Sequence, residues 1–190
     1  GGSDPAKDYV MSALNSGKNV VTANKEIIAS SIEELTSVAN SNKVKIRFEA
    51  AVGAGIPLVG VLIDMLKQNN ISKITGIING TSNYILSSMY DSNKSFDESL
   101  KEAQNLGFAE SDPTNDIGGF DAMYKVCILG SIAFGAKVPI ESVSVKGIEN
   151  LSQKDIKYSK ELGFVIKLLA VTENKSSRIY SNVAPYLVPE

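Results

Sequence analysis

The chain has 190 residues with 19 basic and 21 acidic side chains, and its net charge of −2 gives no reason to expect nucleic acid or an anionic membrane as a partner. It holds one cysteine and no histidine. An internal disulfide, a histidine-built zinc site and Ser-His-Asp or Cys-His catalysis are therefore excluded within it, and proton transfer falls to Lys, Asp, Glu, Tyr or water.

The opening DPAKDYVMSALNSG predicts a helix, with Asp4 as N-cap, Pro5 at the first helical position, a stripe of Tyr9, Val10, Ala13 and Leu14, and Gly17 as its stop. A short strand over 20–23 leads into an Asn24-Lys25 loop at its C-terminal end, the edge where ligands bind in open α/β sheets. A helix over 31–40 and a strand over 43–51 follow. The stretch AAVGAGIPL carries Gly53 and Gly55, but Leu58 stands where a dinucleotide loop needs its third glycine, so that motif fails. Pro57 instead suits the first position of a helix running on through Leu66. A strand over 71–78 ends in Asn79-Gly80, and a helix from Thr81 or Ser82 to Tyr90 begins there, with Thr or Ser as its cap. Its backbone N–H groups would suit a carboxylate.

Next come a helix over 96–106 closed by Gly107, and a loop over 109–116 that carries Glu110, Asp112, Pro113 and Asp116. After Gly118-Gly119 a long helix is predicted over 120–134. A strand over 142–146, a helix over 152–160 and strands over 164–172 and 178–185 complete the chain. The longest apolar runs, 54–66 and 126–134, are too short to cross a bilayer. The opening residues carry no leader-like apolar segment. With a single cysteine, the cytoplasm is the expected location. The pattern as a whole is α/β: the tail of a wound α/β domain, then a mixed sheet covered by helices.

Asp121 and Lys125 fall one helical turn apart on the 120–134 helix. From spacing alone this is a solvated ion pair contributing about 0.3–0.5 kcal/mol. The helix, however, continues as VCILGSIAF, apolar nearly all round, and a helix of that kind is buried. An unpaired charge there would be costly, so the pair is expected to line a polar pocket. Glu110, Asp112, Asp116 and Asp121 gather four carboxylates near that single lysine, which suits an ammonium group or an oxygen-held metal. The competing reading is a solvated acidic loop in which Asp116 caps the helix. Tyr84 and Tyr124 read as packing residues, and Cys127, among aliphatics, as a small core residue.

The segments VVTANKE (20–26), FEAAVGAGIP (48–57), NGTSNYIL (79–86) and LGFAESDPTNDIGGFDAMYK (106–125) resemble homoserine dehydrogenase, and the likeness runs over nearly the whole chain. The resemblance implies an NAD- or NADP-dependent enzyme that interconverts L-aspartate 4-semialdehyde and L-homoserine in threonine, methionine and isoleucine biosynthesis. It implies catalytic roles for Lys125 and Asp121, and substrate binding by Glu110, Asp116, Asp121 and Thr81. Lys25, Gly107 and Glu110 would lie by the cofactor, and a monovalent cation, sodium, would be held at Glu49, Val52, Ala54 and Ile56, mostly by carbonyls. The family's Gly-rich phosphate loop has no counterpart here. The chain is thus expected to be an internal piece, with 1–47 closing the nucleotide domain and 48–190 forming the catalytic and dimerisation domain of a homodimer. Alone it is expected to be inactive. The alternative is a non-catalytic substrate-binding and dimerisation module. A thioester-forming semialdehyde dehydrogenase is disfavoured, because it needs an activated cysteine and normally a histidine.

Overall fold

The computed structural model describes residues 5–190. The proposed cap Asp4 lies outside the described residues. By contacts the chain forms two units, the first made of Gly1–Ile74, Tyr124–Val143 and Thr172–Ser181, the second of Thr75–Met123, Ser144–Val171 and Asn182–Glu190.

In the first unit, α1 (Ala6–Asn15) packs on α2 (Lys25–Ser41). Pro5 stands one residue before α1, and only Leu14 of the predicted stripe is buried, while Tyr9 is 71 % exposed. Strands β1 (Val20–Val21) and β2 (Ile46–Arg47) pair in parallel, Val20 opposite Ile46. Both are shorter than the sequence predicts. β1 stops early because Asn24 already caps α2, its side chain accepting from Glu26 N and Ile27 N at 3.1 and 3.2 Å. That cap starts α2 six residues before the predicted position, with non-helical torsions at Ser31 where the two stretches join. β2 stops early because the backbone turns into α3 (Ala50–Gly53) directly after Phe48 and Glu49. Helix α4 (Val59–Met65) begins two residues after Pro57, so the proline precedes the helix rather than opening it.

Strand β3 (Lys73–Gly76) begins at the end of the first unit and leads to α5 (Gly80–Asp91) of the second, on which α6 (Phe96–Asn105) and α7 (Thr114–Ile117) pack. A capping box of Ser95 and Glu98 opens α6, and Gly107, at φ +77°, closes it in the left-handed region that favours glycine. The acidic stretch is thus a loop followed by one short helix. Helix α8 (Phe120–Phe134) has the predicted bounds and passes from the second unit into the first. Gly119 before it has φ +84°, and a Cβ there would meet Val183 and Val145 side chains at 3.1–3.2 Å, so this close approach requires glycine.

A 3₁₀ turn (Ile140–Ser142) replaces the start of the predicted strand, leaving β4 (Ser144–Val145). Helix α9 (Gln153–Glu161) is capped by Ser152, and β5 (Phe164–Lys175) and β6 (Arg178–Pro189) are longer than predicted. The sheet order is β3-β5-β6-β4, with β4 parallel to β6. Ile166, Leu168, Ala170 and Thr172 alternate into the buried face of β5.

Candidate functional site

The stretch NGTSNYIL organises the polar residues of the second unit. Asn79, not Thr81 or Ser82, is the cap of α5: its Oδ1 accepts from Ser82 N and from Ser82 Oγ, both at 2.8 Å. Its Nδ2 donates to Asp116 Oδ1 at 2.6 Å and to Asp121 Oδ2 at 2.9 Å. Asn79 and Asp121 are each 6 % exposed. Asp116 sits in α7, and its carboxylate takes the Asn79 amide rather than the start of α8. Thr81 Oγ1 donates to the Phe108 carbonyl at 2.6 Å, tying the mouth of α5 to the loop after Gly107.

That loop is held from two further directions. Gln104 Nε2 donates to the Glu110 carbonyl at 3.1 Å, and Tyr84 packs on Phe108 with ring centroids 4.7 Å apart. The Glu110 side chain is exposed. Asp112 accepts from Thr114 N and Thr114 Oγ1 just ahead of α7, and the Thr114 hydroxyl holds its carboxyl below the usual range. Tyr84 packs as predicted, and burial, followed by the Glu102 charge, raises its pKa. Glu102 in turn accepts from Lys94 Nζ at 2.7 Å and Ser88 Oγ at 3.0 Å.

Asp121 is in the first turn of α8, with half-buried Lys125 one turn later on the same helix. In the first unit Lys25 is half-buried in the first turn of α2. Burial raises the Tyr124 pKa, Glu26 adds to the shift and the Lys25 charge opposes it, so the start of α2 acts electrostatically on α8. Ala122, Met123, Val126, Cys127, Ile128 and Leu129 are all buried, as the apolar pattern of the helix predicts. Burial pushes the Cys127 thiol up to about 12, the opposite of what a nucleophile needs.

Elsewhere in the first unit, the Glu49 carboxylate accepts from Leu58 N, Val59 N and Gly60 N at 2.6, 2.7 and 2.8 Å, and these bonds hold its pKa low. Between Glu49 and α4 lies the short segment in which Ala54 has φ +50° and Ile56 is 68 % exposed. Sequence reasoning missed Asn79 and the Glu49 side chain. Asn-Gly read as a turn signal, and residue 49 entered only as one member of a cation loop.

Fold and site define a mixed α/β protein in which a capped helix mouth draws two carboxylates together at the head of a central helix. A family profile described as homoserine dehydrogenase matches residues 57–190, and one described as homoserine dehydrogenase, NAD binding domain, matches residues 1–49. The chain belongs to the homoserine dehydrogenase family. It is 46 % identical over 190 residues to the homoserine dehydrogenase of Neisseria gonorrhoeae, covering all of this chain and 44 % of that protein. The crystal structure of a homoserine dehydrogenase from Thiobacillus denitrificans superposes with a TM-score of 0.96 at 46 % identity, over all of this chain and 44 % of that one. A hyperthermophilic archaeal homoserine dehydrogenase in complex with NADPH gives a TM-score of 0.82 at 33 % identity, over 98 % of this chain and 54 % of that one. The chain thus spans about 44 % of the length of the curated relatives it matches. Among the described residues no helix is long and apolar enough to cross a membrane.

Proposed function

We propose that the chain supplies the substrate-holding part of a nicotinamide-dependent oxidoreductase that interconverts L-aspartate 4-semialdehyde and L-homoserine, within threonine, methionine and isoleucine biosynthesis in the cytoplasm. The observation that carries this reading is the Asn79 amide joined to Asp116 and Asp121, one helical turn before Lys125.

The nicotinamide, when bound, supplies the hydride exchanged at C4 of the substrate. Lys125 holds or releases the proton at the oxygen on that carbon, and Asp121 on the preceding turn supports it electrostatically. Asp116, Asp121 and Glu110 receive the substrate ammonium, and Thr81, bound to the Phe108 carbonyl, fixes the loop that carries Glu110. Such positioning is itself a large part of the rate. Lys25, Gly107 and Glu110 face the cofactor in this reading, with 1–47 belonging to the nucleotide domain and 48–190 to the catalytic domain. A monovalent cation fits the 49–56 segment through the carbonyls of Glu49, Val52, Ala54 and Ile56. The Glu49 side chain is already engaged by three backbone N–H groups, which leaves the cation to main-chain oxygens.

We assign the working form as a homodimer. Support comes from apolar side chains left at the surface of the second unit, Tyr158, Leu162 and Leu187 being 58, 66 and 53 % exposed.

The test is a chimaera in which this chain replaces the matching part of the Neisseria gonorrhoeae relative. Homoserine-dependent reduction of NAD or NADP is expected, with Lys125→Met lowering kcat by at least about 100-fold. A folded chimaera without turnover, or near-normal turnover of Lys125→Met, overturns the assignment. Homoserine binding without turnover would favour a binding module instead.

A further inference from the structure

Asn79 does more than cap a helix. Its orientation is fixed by Ser82, whose backbone N–H and hydroxyl both lie 2.8 Å from Oδ1. Rotating the amide would set its NH₂ against the Ser82 N–H. The NH₂ group is therefore committed to the other side, where it gives one N–H to each of two carboxylates, on Asp116 at 2.6 Å and Asp121 at 2.9 Å. Those oxygens come within two hydrogen-bond lengths of each other. At 6 % exposure of Asn79 and Asp121, little water screens their repulsion. Asp116 belongs to a helix of only 4 residues, which gives it little rigidity of its own.

We propose that Asn79 is a positioning residue, whose amide locks Asp116 and Asp121 into a single two-carboxylate receptor for the ammonium of the amino-acid substrate. The inference rests on the function proposed above for its ligand, but not for its geometry. The start of α5 thus sets the spacing of two acids that lie 37 and 42 residues away in sequence.

Two substitutions separate this role from capping, because Ser and Asp cap helices about as well as Asn. Asn79→Ser keeps the cap and removes the amide donor. Asn79→Asp keeps the cap and adds a third carboxylate. In the chimaera described above, both should melt cooperatively and raise the dissociation constant for L-homoserine by at least about tenfold, with Asn79→Asp the weaker binder. Ser152→Ala, which removes the cap of α9, is the control: it should lower the melting temperature and leave homoserine affinity unchanged.

A crystal structure of Asn79→Ser gives an independent readout, in which the two carboxylates should move apart by about an ångström or more. Unchanged affinity in both variants, or an unchanged carboxylate spacing in Asn79→Ser, overturns the proposal. If the unsubstituted chimaera takes up no homoserine, the functional reading fails, and the carboxylate spacing still decides the role of Asn79.

Discussion

Glu49 Oε1 lies 2.7 Å from Val59 N, and the same carboxylate reaches Leu58 N and Gly60 N. It closes the start of α4 with a side chain from nine to eleven residues upstream. The clasp also fixes the span that contains Ala54 at φ +50°. Glutamine has one acceptor oxygen and sets an NH₂ group against the remaining backbone donors. Glu49→Gln should therefore destabilise the chain by about 1–2 kcal/mol, hydrogen bonds to charged groups being the stronger kind. For a chain of this size that lowers the melting temperature by roughly 2–8 °C. An unchanged melt would show that the clasp contributes nothing to stability.

Acid should weaken the fold through a small set of carboxylates. The Leu58, Gly60 and Val59 N–H groups lower the pKa of Glu49, and Ser95, first through its backbone N–H, lowers that of Glu98. Lys94 lowers Glu102, the Thr114 hydroxyl lowers Asp112 and the Ser152 hydroxyl lowers Asp155. A carboxylate depressed in the folded state binds its proton more readily when unfolded. Its contribution is fully present above the unfolded pKa and is lost as pH falls through the folded one. Urea midpoints should hold steady from neutrality to about pH 5 and fall progressively below about pH 4. Replacing Glu98 and Glu102 together by Gln should flatten that fall, and an equally steep fall in the double variant would remove them from the account.

How much of this was readable beforehand varies with the range of the interactions. Helix α8 had its observed bounds in the sequence because its signals are local: Gly118-Gly119 in front and an unbroken apolar run behind. Helix α6, closed by Gly107, was equally open, although its Ser95 cap was not read. Helix α2 was not, because Asn24 serves both as loop residue and as cap, and only the fold shows its Oδ1 over Glu26 N and Ile27 N. The clustering of acids near Lys125 was visible as composition. That Asn79 joins Asp116 to Asp121 was invisible, since no periodicity links residues 37 and 42 positions apart. The two misses differ in kind: Asn24 is a local cap that also fits a loop, whereas the Asn79 bridge joins remote residues and leaves no pattern in the sequence.

Ser99 is a buried residue whose hydroxyl has no hydrogen-bond partner among the described residues. It lies on the inward face of α6 beside fully buried Ala103. A buried hydroxyl without a partner carries its desolvation penalty uncompensated. Alanine also has the higher helix propensity. Ser99→Ala should therefore raise stability by about 1 kcal/mol, read as a higher urea midpoint at constant slope. A lower midpoint would mean that the hydroxyl has a partner in solution, such as a bound water.

The turn between β5 and β6 offers a second route to stabilisation, by a different mechanism. Ser176 and Ser177 have φ of +49° and +64°, left-handed values at both central positions of a two-residue hairpin. This is the type I′ pattern, whose twist matches that of the flanking strands and whose preferred sequence is Asn-Gly. Serine is strained there, while asparagine tolerates the left-handed region and glycine enters it freely. The double substitution Ser176→Asn with Ser177→Gly should relieve that strain and raise the melting temperature by roughly 2–4 °C, about 1 kcal/mol for a chain of this size. The added freedom of glycine in the unfolded chain opposes the gain and keeps it modest. The two single variants apportion the effect: Ser176→Asn should account for the stabilisation that carries no entropy penalty, and Ser177→Gly should be close to neutral. A fall in melting temperature for Ser176→Asn would mean that this hairpin does not turn through the I′ geometry in solution.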